Sequence, residues 1–92
     1  MKNKNQKNII EIIISLSKDP ILLNAFLKDI LTTVEYKEIH KRWEIIKMLD
    51  LGINQHEIAK NIHVGVATVT RGSRVFNNPN GVLKKILKNH PN

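Results

Sequence analysis

With 92 residues the chain is long enough for one ordinary domain and too short for two, so we expect a single domain over residues 1–92. It contains no cysteine, which excludes disulfides, thiolate zinc sites and cysteine nucleophiles and favours a reducing compartment, the cytoplasm. No apolar stretch reaches the ~20 residues that cross a bilayer, so we expect no membrane segment.

The charge of the chain is strongly basic and unevenly distributed. The formal net charge is +7, and no acidic residue follows Glu57. The basic residues beyond that point are Lys60, Arg71, Arg74, Lys84, Lys85 and Lys88. This half should therefore carry a positive field that attracts nucleic acid or anionic lipid, with a solubilising surface as the alternative.

The first third of the chain predicts a basic flexible tail over residues 1–7, followed by two helices. Residues 8–17 place apolar groups on nearly every turn position, a wider face than one neighbouring helix can cover, so a partner subunit is the expected cover. Asp19 is the predicted N-cap and Pro20 the first residue of a second helix that runs to about residue 31.

A third, longer helix is predicted to begin at Thr32 or Thr33 and to end near Leu51, before Gly52. Glu35 lies in its first turn, where the helix dipole favours a negative charge. The apolar stripe of this helix consists of Ile39, Trp43, Ile45, Ile46 and Leu49. The spacing predicts that the stripe faces inward, and we expect Trp43 to pack in the core or at a dimer contact, with insertion of its own indole beside Arg42 as the alternative.

Residues 54–76 predict two short helices joined by a tight turn at 62–65. The small side chain of Ala59 would let the two backbones approach closely. The apolar residues expected to meet between the helices are Ile58, Ile62, Val64 and Val69. His63 stands in the turn where many such motifs have glycine, and histidine tolerates a positive φ better than most residues. An α-hairpin in an unrelated bundle is the alternative to a helix-turn-helix.

The second of these helices presents side chains suited to reading DNA. Its outward positions are small, apolar or hydroxyl-bearing groups and one cation, which fit a major groove about 12 Å wide. Neighbouring polar and basic groups would hold phosphates. The predicted DNA-binding residues are Gln55, His56, Lys60, Gly65, Val66, Ala67, Thr68, Thr70, Arg71 and Arg74.

The end of the chain predicts a C-terminal helix over residues 79–89, beside the helix-breaking run Asn77–Gly81. The residues expected to point inward are Val82, Leu83, Ile86 and Leu87. The lysines expected to point outward are Lys84, Lys85 and Lys88.

The sequence does not indicate catalysis. Its histidines, His40, His56, His63 and His90, are scattered, and no nucleophile, metal-ligand cluster or phosphate loop accompanies them. We therefore expect no enzyme activity, no bound metal and no cofactor.

Residues 31–76 resemble the Trp repressor family, and the order of helices agrees along the chain. The resemblance is carried by the runs Gln55–Ile58 and Gly65–Ser73, the second of which ends in the specific sequence Thr70-Arg71-Gly72-Ser73. Further matching residues are Leu31, Thr32, Arg42, Ile45, Ile46, Leu49 and Gly52. The resemblance implies an all-α, six-helix intertwined homodimer, whose shared core carries two projecting helix-turn-helix heads.

The resemblance also implies a site for L-tryptophan, with the indole between Arg42 and Arg71 and the carboxylate paired with arginine. Backbone carbonyls near the end of the second helix would hold the ammonium. The implied ligand-binding residues are Asp29, Leu31, Thr32, Arg42, Arg71, Gly72 and Val75. The family often has serine where this chain has Val75, and Asp29 adds a carboxylate to a site usually lined by aliphatic groups.

Both arginines have simpler explanations in the sequence itself. Glu38 precedes Arg42 by four residues, and an ion pair along one helix face would account for this arginine without a ligand. Arg71 could serve a DNA phosphate alone.

The function that the resemblance implies is sequence-specific transcriptional repression, with L-tryptophan as corepressor and genes of tryptophan biosynthesis or uptake as targets. The implied partners are double-stranded operator DNA, a second copy of the chain and L-tryptophan. One alternative is a similar DNA-binding regulator that does not respond to tryptophan. The other is a basic helical module that binds RNA or protein.

Overall fold

A computed structural model describes residues 6–91, so Lys2 and Lys4 of the predicted tail lie outside the described residues. These residues form six α-helices and no strand, which confirms the predicted all-α class. The helices are α1 (Ile9–Ser15), α2 (Pro20–Ile30), α3 (Thr33–Asp50), α4 (Gln55–Ile62), α5 (Val66–Phe76) and α6 (Leu83–Asn89). Among the described residues no helix is long and apolar enough to cross a membrane.

The first three helices begin at capping residues, as the sequence predicts for α2 and α3. Asp19 Oδ1 accepts a hydrogen bond from the Leu22 N–H at 3.0 Å. At the start of α3, Thr32 Oγ1 accepts from the Glu35 N–H at 3.1 Å, and Glu35 Oε1 accepts from the Thr32 N–H at 2.8 Å. These two bonds form a reciprocal capping box, which satisfies backbone N–H groups that the helix itself leaves unpaired.

The chain forms two compact units that divide between residues 36 and 37, inside α3. In the first unit, α1 and α2 contain no buried residue. Ile21 is 85% exposed, and the other exposed apolar side chains of these two helices are Ile9, Ile10, Ile14, Leu22 and Ile30. The broad apolar face that the sequence indicates is thus not covered by the helices of the first unit itself.

The second unit has two small hydrophobic clusters, both built on α3. Ile45 packs with Ile58, Ala59 and Val69 of α4 and α5. Its neighbour Ile46 packs with Phe76 of α5 and Leu87 of α6. Because adjacent helical positions point about 100° apart, one pair of isoleucines anchors α3 to two different groups of helices.

Some apolar side chains predicted to face inward are exposed in the single chain. Ile39 is 48% exposed and Trp43 37% exposed, so the buried part of α3 is shorter than its apolar stripe, and a dimer contact for Trp43 remains a prediction. Val82 and Ile86 are also exposed, although the sequence predicts that both point inward. Val82 and Ile86 are exposed because α6 is only seven residues long and contacts the cluster through Leu83 and Leu87 alone.

The C-terminal helix also begins later than residue 79. Asn78 starts a turn, in which its backbone carbonyl accepts from the Gly81 N–H at 3.0 Å and its side chain accepts from the Asn80 N–H at 3.0 Å. These bonds hold the breaker segment out of a helical conformation, so α6 starts at Leu83.

Candidate nucleic-acid interface and adjoining pocket

The helices α4 and α5 are joined by a short turn with a left-handed residue. His63 ends α4 with φ 61° and ψ 47°, which confirms that histidine takes the position where glycine is common. The Val64 N–H then donates to the Ala59 carbonyl at 3.1 Å, and Gly65 is the N-cap of α5. The chain changes direction within residues 63–65, and this short turn brings α4 and α5 into contact.

The contact between α4 and α5 is made by the predicted apolar residues. Ile58 and Val69 are completely buried, and Ala59 is buried beside them. Ile62 and Val64 are partly buried against the same cluster. The pattern therefore predicts the helix-turn-helix interior correctly, including the small side chain at the close approach.

The side chains presented by α5 differ from the prediction at one position. Val66, Ala67 and Arg71 are exposed, whereas Thr70 is half-buried. Its hydroxyl donates to Gln55 Oε1 at 2.8 Å and also lies 3.1 Å from the Val66 carbonyl oxygen. Thr70 is thus tied to the start of α4 rather than freely directed outward, a link between residues fifteen positions apart that neither helix pattern reveals.

Four basic residues remain available around this surface. His56 and Lys60 are exposed on α4, and Arg71 and Arg74 are exposed on α5. None of the four forms an ion pair with any residue of the described range 6–91. Arg71 Nη2 makes a single long contact to Thr68 Oγ1 at 3.5 Å. The cations Lys60, Arg71 and Arg74 can therefore bind phosphates without first breaking an ion pair, and the His56 ring offers a further hydrogen-bond donor.

A pocket of about 970 Å³ lies between α3 and α5, beside the same surface. Four of the residues predicted to bind a ligand line it together: Arg42, Arg71, Gly72 and Val75. The other three, Asp29, Leu31 and Thr32, belong to the first compact unit, and their part in a ligand site remains a prediction. Thr32 caps α3 through its hydrogen bonds with Glu35.

Gly72 allows α5 to lie close to α3. A Cβ atom at this position would be only 2.9 Å from Ile45 Cγ2, closer than carbon atoms normally approach. Gly72 is itself buried and lines the pocket. The glycine that the resemblance places against a ligand therefore also has a packing reason of its own.

The pocket contains one acidic residue that the sequence predicts only as an ion-pair partner. Glu38 lines the pocket together with Arg42, yet the two side chains form no ion pair. The helical pair that would have explained Arg42 without a ligand is therefore absent among the described residues. Within the described range 6–91, no group of three or more histidine, aspartate or glutamate side chains is placed to hold a metal ion.

The fold and this surface define a helix-turn-helix DNA-binding protein. The sequence profile of the family described as Trp repressor protein matches residues 4–91, and the chain belongs to this family. No match was found among the curated proteins or among the solved structures. The family consists of non-enzymatic regulators of transcription that bind operator DNA, which confirms the predicted family, DNA-binding class and lack of enzyme activity.

Proposed function

We propose that this regulator represses genes of tryptophan biosynthesis or uptake, and that L-tryptophan is its corepressor. The observation that supports this proposal is the pocket that Arg42 of α3 lines together with Arg71 and Gly72 of α5. A protein that binds the chromosome in this way would act in the cytoplasm.

The chemistry of the pocket suits an aromatic amino acid. A guanidinium binds a carboxylate through paired hydrogen bonds and also stacks on the face of an aromatic ring. Arg42 and Arg71 can therefore hold both the carboxylate and the indole, while Ile45 and Val75 provide apolar wall. An indole is large and flat, and filling such a pocket removes its apolar surface from water.

Arg71 links the pocket to the proposed DNA surface, since it lines the pocket and belongs to α5, the helix that would enter the major groove. A ligand bound against Arg71 and Gly72 would bias the tilt of α5. A coupling of about 1–3 kcal/mol between the two binding events is enough for a feedback switch.

The reading surface of one chain covers one half of a two-fold operator. We propose that two copies bind successive major grooves about 34 Å apart as an intertwined homodimer. The uncovered apolar side chains of α1 and α2, such as Ile14 and Ile21, support this proposal because a second subunit would remove them from water.

The proposal is tested by the fluorescence anisotropy of labelled duplexes selected from a random pool, measured with and without L-tryptophan. We expect tryptophan to tighten binding of the selected duplex about tenfold. Arg42→Ala should abolish this response and leave the affinity without tryptophan unchanged. Lys37→Ala, which removes an exposed cation from α3 outside the pocket, is the matched control.

Three outcomes would replace the proposal. Specific DNA binding without any tryptophan effect would indicate a regulator with another effector or none. Equal affinity for selected and scrambled duplexes would favour the RNA- or protein-binding module. A monomer by analytical ultracentrifugation, with or without DNA, would rule out the homodimer.

A further inference from the structure

The exposed face of α6 is strongly basic. Lys84, Lys85 and Lys88 are all exposed, and they share one side of the helix because residues three and four positions apart are neighbours on a helix surface. Within residues 6–91 none of the three forms an ion pair. No acidic residue follows Glu57 in the sequence. This basic face therefore carries three positive charges that no carboxylate of the described residues pairs.

The three lysines weaken the helix that carries them. Lys84 and Lys85 lie in the first turn of α6, where the helix dipole disfavours a positive charge. Lys84 also repels Lys88, because like charges four positions apart destabilise a helix. α6 has no side-chain hydrogen bond at its N-cap and buries only Leu87. An anion bound along the basic face would relieve this repulsion.

The basic face is held close to α5. Leu87 packs with Phe76, the last residue of α5, and Lys84 Nζ lies 5.1 Å from the centre of the Phe76 ring. The turn between the two helices contains a hydrogen bond that the Gly81 N–H donates to the Asn78 carbonyl at 3.0 Å. These contacts hold α6 at the C-terminal end of α5.

This end of α5 is remote from the residues expected to read bases. The eleven residues from Val66 to Phe76 span about 15 Å along the helix, more than the width of a major groove, about 12 Å. With Val66 and Ala67 in the groove, a cation held beyond Phe76 lies outside it. The nearest anions there are phosphates of the DNA beside the half of the operator that α5 reads.

We propose that the α6 lysines bind phosphates of the DNA that flanks the operator, and so add affinity that does not depend on base sequence. Each lysine that neutralises a phosphate also releases a counterion from the DNA. The predicted phosphate contacts His56, Lys60 and Arg74 belong to α4 and α5, so the basic face of α6 is an additional surface. The proposal rests on DNA binding by the family and does not require the tryptophan response.

Binding of two duplexes by the full chain tests this proposal. The short duplex contains only the selected site, and the long duplex extends it on each side by about 10 base pairs, one helical turn. By fluorescence anisotropy we expect the long duplex to bind more tightly. Its slope of log K against log salt should be steeper by about 0.9 for each additional phosphate bound. For two phosphates, the advantage of the long duplex should shrink about tenfold between about 50 and 200 mM salt.

A double variant locates the effect on α6. Lys85→Gln combined with Lys88→Gln removes two charges and leaves Lys84 in place, so it should bind the short duplex like the wild type and lose the advantage of the long one. Lys18→Gln combined with Lys37→Gln is the matched control, because it lowers the net charge equally at exposed positions outside α6. This control should keep the advantage. Thermal unfolding of each variant, followed by circular dichroism, shows whether the fold is retained.

Three results would overturn the proposal. An advantage of the long duplex that survives in the α6 variant would assign the flanking contacts to other cations. An equal loss in the control variant would show that net charge alone is responsible. Equal affinity of the wild type for both duplexes would mean that α6 does not reach flanking DNA. Capture of polyglutamate by the wild type, and not by the α6 variant, would then identify an acidic protein segment as the partner.

Discussion

The hydroxyl of Thr70 donates a hydrogen bond to Gln55 Oε1 at 2.8 Å, and this bond joins the middle of α5 to the first residue of α4. The sequence predicts a separate DNA contact for each of these residues. In the structure they form one polar contact that fixes the second helix of the motif against the first. The orientation in which Val66 and Ala67 are exposed therefore depends in part on a side-chain hydrogen bond.

Removing this hydrogen bond should loosen the reading helix. Thr70→Val keeps the shape of the side chain but leaves Gln55 without its donor, and we expect a loss of about 0.5–1.5 kcal/mol in unfolding free energy. Discrimination between selected and scrambled duplexes should fall as well. Urea denaturation and duplex competition measure the two effects. Thr70→Ser retains the hydroxyl and should behave nearly like the wild type; an equal loss in both variants would contradict a role for the bond.

A methyl group at position 72 should disrupt the packing of α5 on α3. Gly72→Ala places a Cβ 2.9 Å from Ile45 Cγ2, and overpacking of this kind costs about 1–3 kcal/mol. The intrinsic preference of a helix for alanine over glycine, about 1 kcal/mol, offsets part of this cost. Urea denaturation measures the net destabilisation, and tryptophan titration should show weaker binding.

Gly65→Ala is the control for this prediction. A Cβ at Gly65 meets no atom within 4 Å, and its φ of −70° suits any residue. Alanine is a poorer N-cap residue than glycine, so the unfolding free energy should fall by about 0.5–1 kcal/mol without any steric clash. A Gly72→Ala variant no less stable than Gly65→Ala would show that α3 yields to the added methyl group.

The capping box of α3 makes the free energy of unfolding depend on pH in the acid range, where Glu35 titrates. Hydrogen bonds from the Thr32 backbone N–H, and secondarily from its hydroxyl, lower the pKa of Glu35 below its ordinary value. Because the folded-state pKa is depressed, the stabilisation is present above the unfolded-state pKa and is lost as pH falls through the folded-state pKa. Thr32→Val removes the hydroxyl, so the pKa of Glu35 should rise and this acid-range dependence should shrink.

NMR titration of the Glu35 carboxyl carbon measures this pKa directly. Thr32→Ser keeps the hydroxyl that caps α3, so Glu35 should titrate as in the wild type and this variant is the matched control. A Glu35 titration unchanged by the substitution would mean that the backbone N–H alone accounts for the lowered pKa.

Arg74 is expected to contact phosphate and no base. It lies in the last turn of α5, is exposed, and does not line the pocket. Arg74→Ala should weaken binding of selected and scrambled duplexes alike. The slope of log K against log salt should become shallower by about 0.9 for each phosphate that the variant no longer neutralises. Lys37→Ala on α3 should leave the slope unchanged, and weakening confined to the selected duplex would assign Arg74 to a base instead.

Most of the local structure is predictable because it depends on neighbours in the sequence. Asp19 and Pro20 start α2, Thr32 caps α3, and α5 spans 66–76 as predicted. His63 takes the left-handed conformation that the short turn requires. Capping, turn chemistry and helical spacing act over three to five residues, a range that sequence patterns report well.

The extent of the buried faces is less predictable. Periodicity shows which side of a helix is apolar, but it does not show how far a neighbour reaches along it. Ile39 and Trp43 continue the stripe of α3 beyond the clusters formed with α4, α5 and α6, and so remain exposed in the single chain. The single-domain extent over 1–92 and the flexible tail over 1–7 remain predictions.

The order of residues alone determined the helices, the turn between α4 and α5, and the absence of acidic residues after Glu57. Tertiary structure decided which distant side chains come together: Arg42 and Arg71 line one pocket, and Thr70 donates a hydrogen bond to Gln55. The physical reason is that caps and turns are satisfied within a few residues, whereas a pocket exists only once packing at Ile45 and Gly72 has set the separation of two helices.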